Sequence, residues 1–355
     1  MVYPASDALI AALAHSHRMT ADVLLIRGAD ITPLPFVGGM VSATYNAQVG
    51  RTGTVAMERN YYEGLSVSTL SDVVMIRTGI PTIEMVPVMT GRVDAIQNDR
   101  TTGAVTLSVV DRGADIARAL FEVPWAVAEG QSTIDVMTAM IQDVDPSFVV
   151  EVGPGVIDDA ATAGNYEEDR GAALDELAKG INAVWLASRT GSFLIASNPY
   201  KGTAIASGIT IRNGVDGTIR EATDTVSRSV VRNSITVVSE SIVRGVTPMR
   251  VTVRDTDPGS PTRWGGPFGK QNCIIRNDTL RTIPAATDFA QRLLNQSLAM
   301  VHSWTITTPH FPLLDPLDVF DTVYNEATIT QVVESVDYPL LALDQTSIAA
   351  RELAS

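Results

Sequence analysis

The residues with chemical potential crowd into one stretch, RDTDPGSPTRWGGPFGKQNC at 254–273, which holds three prolines, four glycines, Trp264 and Phe268. Three chemistries are conceivable there. A Gly-rich loop ending in Gly-Lys evokes a phosphate cradle, Asp255 and Asp257 evoke a cation loop, and the two aromatics evoke a contact surface. The phosphate reading fails locally: a P-loop needs Gly-Lys followed by Ser or Thr and a helix, whereas Lys270 precedes Gln271, Asn272 and the strand-like CIIR. Pro267 also removes one of the backbone donors a cradle uses. The cation reading fails on spacing, because counting twelve positions from Asp255 lands on Gly266 rather than on a bidentate Glu. Asp255 and Asp257 then read as turn-forming acids beside Pro258 and Gly259, and the expectation for metal and cofactor is none. Trp264 and Phe268, large and rigid on a loop with Arg263 beside them, read as anchors for a subunit contact.

Other candidates are weaker. His15 and His17 diverge by about 200° on a helix and cannot share a metal. His302 and His310 have no ligand cluster near them in sequence, and neither HExxH nor GxSxG occurs. A glycosidase needs two acids held roughly 5 to 10 Å apart across a cleft, and the acidic clusters are Glu58, Glu63, Glu167, Glu168 and Asp169; sequence alone places none of them opposite another. The one cysteine, Cys273, excludes an intrachain disulfide framework and a Cys-rich metal site.

The elements that must position these residues come in blocks. Residues 5–17 read as a short helix capped by Ser6 or Asp7. From Ala21 to Asp111, short Val-, Ile- and Thr-rich runs separated by Gly, Asn and Asp turns predict a barrel or sandwich, with a hairpin around NDRTTG. Residues 112–200 change texture: ADIARALFE, TIDVMTAMIQDV and RGAALDELAKGI have helical spacing, and AVWLAS and GSFLIASN flank an RTG turn, predicting an α+β unit. Strand texture resumes after Lys201 and continues to Arg254. The stretch PAATDFAQRLLNQSLAMVHS then predicts an amphipathic helix with Phe289, Leu293, Leu294, Leu298 and Val301 on one stripe, followed by SWTITTPH, DVFDTVYN and TITQVVESVDY as strands. A faint internal echo pairs Arg51 and Glu58 with Arg232 and Glu240, and Asp111, Ala117 and Arg118 with Asp344, Ala350 and Arg351. The expected architecture is mainly β with an α+β insert: a first β barrel with lead-in helix over 1–115, the α+β domain over 116–203, and a second barrel over 204–355 containing loop 254–273 and helix 285–301.

Composition limits function. A chain of 355 residues, 45% hydrophobic and 19% charged, can build real cores. No apolar run reaches the roughly 18 residues of a membrane helix, and the N-terminus, with Asp7 in its apolar part, lacks the look of a secretory signal; the expectation is a soluble protein folded in a cytoplasm. The net charge of −14 opposes general affinity for a phosphate backbone. It leaves passage of DNA open, since a like-charged wall lets a polyanion slide.

Four segments carry a family resemblance: FVGGMVSATYNAQVGRTGTVAM, SVVDRGADIARALF, VTVRDTDPGSPTRWGGPFGKQNCIIRNDTLRT with the Ala/Leu-rich helix after it, and LLDPLDVF. Across most of its length the chain resembles bacteriophage tail proteins of the baseplate-hub or tail-tip-hub class, notably the minor tail proteins of actinobacterial phages. The resemblance implies a non-enzymatic homotrimer in which two tail-tube-like β barrels per subunit give pseudo-sixfold symmetry. It implies a place at the virion's tail tip, after assembly in the host cytoplasm. Its partners would be the distal tail protein and tail tube above and a spike or fibre below, with DNA leaving through the lumen. Three alternatives stay open: a distal-tail ring protein, a receptor- or carbohydrate-binding tail protein presenting Trp264 and Trp304 on exposed loops, and a tail-associated peptidoglycan hydrolase.

Overall fold

A computed structural model describes residues 3–353 apart from 16–17, 46, 162, 201–206, 215–216, 240–247, 278–279, 281 and 300–301. His17, Lys201, Glu240 and Val301, named above, lie outside the described residues.

Period-two burial builds the main sheet. Along Arg51–Glu58 every second residue is buried, and Ala104–Asp111 repeats the pattern, so one face of each strand meets the core. Thirteen strands join in one sheet. Its path runs from Glu221–Val226 through His302–Pro309, Gln345–Glu352, Ala327–Pro339, Gly38–Thr44, Arg51–Glu58, Ala104–Asp111, Glu84–Asn98, Val73–Ile80 and Thr20–Arg27 to Asp30–Pro33. Val319–Tyr324 branches from Ala327–Pro339 and carries Thr210–Arg212 in parallel. The predicted hairpin forms: Glu84–Asn98 and Ala104–Asp111 pair antiparallel, and Asp99 Oδ1 accepts from Thr101 N at 2.8 Å to shape the turn.

Among the described residues the two strand-rich regions close into no barrel. They meet where Ser335–Pro339 pairs antiparallel with Met40–Thr44, and the sheet path stays open at both ends. One apolar core runs beneath both, including Val41, Val55, Leu107, Ile306, Phe320 and Val336. At this junction Gly39 has φ of +151°, and a Cβ there would lie 2.1 Å from the carbonyl oxygen of Thr54; the second glycine of FVGGM permits that approach.

The middle of the chain mixes helices with short strands. The helices Thr133–Gln142 and Arg170–Gly180 are capped by Ser132 and Asp169, which accept from Asp135 N and Ala172 N. They pack with the antiparallel hairpin Ala183–Ala187 and Phe193–Ser197 around a second core containing Met137, Met140, Leu174, Trp185 and Phe193. A third core lies between Ile283–Ala299 and a small sheet in which Ser234–Ser239 is flanked by Met249–Arg254 and Asn272–Arg276.

The internal echo is not realised. Arg51 lies buried in the main sheet, whereas Arg232 precedes a strand of the small sheet. Arg118 ends the helix Gly113–Arg118, but Arg351 is on the strand Gln345–Glu352, whose Thr346, Ile348 and Ala350 face inward with a period of two. Shared letters in DRGADIAR and DQTSIAAR do not outweigh that difference in apolar period.

Candidate functional site

The loop after Met249–Arg254 is a folded knot built on two buried polar residues. Asp255, 6% exposed, accepts through Oδ2 from Ser260 Oγ and Thr262 Oγ1, both at 2.6 Å, while its carbonyl accepts from Trp264 N at 2.8 Å. Asn233, just before the neighbouring strand Ser234–Ser239, closes the knot. Its Nδ2 donates to the carbonyls of Thr262 at 2.7 Å and Gly269 at 2.9 Å, and its Oδ1 accepts from Gln271 N at 2.9 Å. Asp257 turns the chain locally, accepting from Gly259 N at 2.8 Å.

The glycines spend their donors inside the loop. Gly265 N donates to Gly269 O, Gly266 N to Arg263 O and Gly269 N to Gly266 O, so these amides converge on no external anion. Gly265 and Gly269 have φ of +79° and +90°, which only glycine adopts without strain. Trp264 and Phe268 are half-buried rather than fully presented. The guanidinium of Arg254 and the ammonium of Lys270 lie 5.2 and 5.9 Å from the Trp264 ring centre, and Arg228 lies 5.2 Å from that of Phe268. Arg263 is exposed beside them. Between this knot and the helix Ile283–Ala299 runs a groove of about 480 Å³ lined by Asp255, Asp257, Gln291, Asn295, His302 and Glu352.

The other candidates scatter. Among the described residues no group of three His, Cys, Asp or Glu side chains gathers to hold a metal. Glu63 lies 3.9 Å from Arg59 one helical turn away, Asp169 caps its helix, and His310 is buried. Trp304 sits on the strand His302–Pro309 and packs against the main core, so it is not the exposed loop aromatic that saccharide binding would use.

A second constellation escaped the sequence reading. Arg51, 1% exposed, donates from Nη2 to Asp315 Oδ2 at 2.5 Å, from Nη1 to the Val88 carbonyl at 3.2 Å and from Nε to the Ala187 carbonyl at 3.4 Å. Arg189, from the RTG turn, donates to the same Asp315 oxygen at 3.3 Å and to the Pro312 carbonyl at 2.8 Å. Tyr338 OH donates to the Leu314 carbonyl and lies 3.3 Å from Asp315 Oδ1. Burial alone would push the Asp315 carboxyl up, but Arg189 and Arg51 outweigh it and hold the group below the ordinary carboxylate range. Asp111, beneath the Arg51 backbone, accepts from Arg51 N at 2.6 Å and Gly113 N at 2.9 Å; burial pushes its carboxyl up to about 6. This cluster ties the first strand block, the α+β hairpin and the LLDPLDVF corner to one point. Arg51, Asp111 and Asp315 come from segments quoted for the family resemblance, but only packing reveals why: Arg51 and Asp315 are 264 residues apart.

The architecture has solved counterparts. The fold superposes on a tail protein from Neisseria meningitidis with a TM-score of 0.69 and 11% identity, covering 95% of this chain and 97% of the other. A 43 kDa tail protein of prophage MuSo2 from Shewanella oneidensis gives 0.65 and 14%, covering 93% and 98%. The chain has the fold of a phage tail protein. The tail-protein fold extends to a type VI secretion component of E. coli, described as structurally similar to the T4 bacteriophage tail proteins gp27 and gp5, at a TM-score of 0.51 and 9% identity over 96% of this chain and 78% of the other. No protein-family model and no curated protein matches the sequence.

Proposed function

We propose that this chain is a structural, non-enzymatic subunit of a phage tail, and that it forms a homotrimeric hub at the tail tip. The observation that carries the reading is end-to-end likeness to tail proteins, which leaves almost none of either chain unaccounted for. In this reading 1–115 and 204–355 each supply a tube-like β domain and 116–203 is a peripheral α+β domain. Three copies then present six β domains to a sixfold tail tube or distal tail protein above, and a threefold end to a spike or fibre below. The open path of the main sheet supports such closure between chains, because among the described residues its terminal strands Glu221–Val226 and Asp30–Pro33 each keep an unpaired edge that a ring can cover. The acidic balance suits a lumen through which DNA leaves without adhering. Assembly would take place in the host cytoplasm before packaging into the virion.

The loop residues Asp255, Asp257, Arg263, Trp264 and Phe268 form the subunit contact in this proposal. Asp255 and Asp257 shape the loop, and the cation-flanked aromatics and Arg263 supply contact area and charge. The test is stoichiometry, by native mass spectrometry of the purified chain and of the assembled tail. Three copies per tip are expected. Six copies would point to a distal-tail ring instead, copies arrayed around the outside would favour receptor binding, and clearing of host cell wall in a zymogram would overturn the non-enzymatic reading.

A further inference from the structure

The helix Ile283–Ala299 buries an arginine that meets no carboxylate among the described residues. Arg292 is 5% exposed; its Nε donates to Asn182 Oδ1 at 2.9 Å and its guanidinium lies 4.8 Å from the Phe289 ring centre. Its Nη2 is buried without an acceptor among the described residues. Burial, with no opposing charge to offset it, pulls this group down to about 10. Taking a guanidinium out of water without an anion is unfavourable, so the arrangement is incomplete as it stands.

Arg292 forms part of the wall of a cleft of about 350 Å³ between that helix, the helix Arg170–Gly180 and the strand Ala183–Ala187. Lys179 stands exposed in its rim, and Gln48, Asn198 and Gln296 add amides. The one carboxylate of the wall, Asp175, accepts from the Trp185 indole at 2.7 Å. Two cations against one anion leave a single net positive charge, which a carboxylate balances and a doubly charged phosphate does not. The volume exceeds what a carboxylate alone fills and sits near the lower end of small-ligand clefts, about 300–1,000 Å³. The occupant therefore carries a short chain behind its charge.

We propose that this cleft is a binding site for a short-chain carboxylate, with Arg292 as the group that receives the anion. Two sources share that chemistry: a free monocarboxylate, and a Glu or Asp side chain of a neighbouring subunit, abundant in a chain with 40 acidic residues. The planar fork of Arg292 matches either one.

The experiment titrates the full chain with butyrate, and separately with its neutral isostere butyramide, while NMR follows the Trp185 indole signal. Self-association is measured in parallel by sedimentation. If the source is a free carboxylate, butyrate shifts the signal, butyramide does not, and Arg292→Met weakens binding roughly tenfold or more. If the source is a neighbouring subunit, Arg292→Met instead weakens self-association by a similar factor. Arg292→Met should unfold no earlier than the parent, because it removes an uncompensated buried charge. Should it fail to fold, Lys179→Gln on the exposed rim carries the comparison, with a weaker loss in whichever assay responds. Equal binding of butyrate and butyramide overturns the proposal, as does an unchanged signal together with unchanged self-association. A monomer that still binds butyrate would sink the trimer reading and leave this site standing.

Discussion

Arg51 and Asp315 meet at 2.5 Å across 264 residues of chain, and Arg189 reaches the same carboxylate oxygen from a third segment. Two buried guanidiniums on one carboxylate make Asp315 the point at which the tail fold is tied together. Asp315→Asn leaves both arginines without their anion, and breaking a buried pair this way costs about 3–5 kcal/mol. Chemical denaturation should show that loss as a lower midpoint. A midpoint within error of the parent would show that the cluster does not stabilise the fold.

Asp111 gives the pH dependence an opposite sign. Burial raises its folded carboxyl to about 6 from the ordinary 3.8, so between those values the folded state holds a proton that the unfolded chain releases. Its contribution is fully present below the lower value and is lost as pH rises through about 6. Relative to Asp111→Asn, the parent should therefore lose stability between pH 4 and pH 6, by up to about 3 kcal/mol. Asp315 behaves in reverse: its stabilisation is present above the ordinary carboxylate range and is lost only as pH falls below it. Denaturation curves of parent and Asp111→Asn across that window check the sign, and parallel pH profiles would refute it.

Asn233 should control the order of the loop rather than the stability of the whole chain. It is fully buried and satisfies the carbonyls of Thr262 and Gly269 and the amide of Gln271. Asn233→Ala strands those groups at about 1–3 kcal/mol for each one left unsatisfied. Hydrogen exchange should accelerate at Trp264 and Gln271, while the amides of Arg51–Glu58 stay protected. Unchanged exchange in the loop would contradict the role assigned to Asn233.

Local patterns were legible where one element settles its own structure. The NDRTTG hairpin, the helices capped by Ser132 and Asp169, and the stripe through Phe289 and Leu294 all follow from spacing and short-range hydrogen bonds. What depended on distant partners was not. Nothing near Met40 announces that it pairs with Pro339, and that pairing is what merges two expected barrels into one sheet. The same holds for Arg51, whose ion partner Asp315 stands 264 residues away in the sequence. In the loop, Asp255 and Asp257 were recognisable as turn acids, but the residue that organises them, Asn233, sits before a strand in another segment and carries no motif.

The last prediction separates contact from folding at Trp264. The ring is half-buried, and two of its neighbours are the cations of Arg254 and Lys270, so its removal opens no large cavity in the cores of the chain. Trp264→Ala should unfold within about 1 kcal/mol of the parent, since exposed cation–π contacts are worth about 0.5–1 kcal/mol. At a subunit contact the same truncation removes a hot-spot aromatic, for which losses of about 2 kcal/mol or more are typical. Sedimentation should then show weaker ring formation by roughly thirtyfold or more at unchanged melting. Asp255→Ala supplies the contrast: it withdraws the acceptor of Ser260 and Thr262 and should disturb both loop order and assembly. If Trp264→Ala assembles like the parent, Trp264 is no anchor of the subunit contact, whatever Asp255→Ala does to the loop.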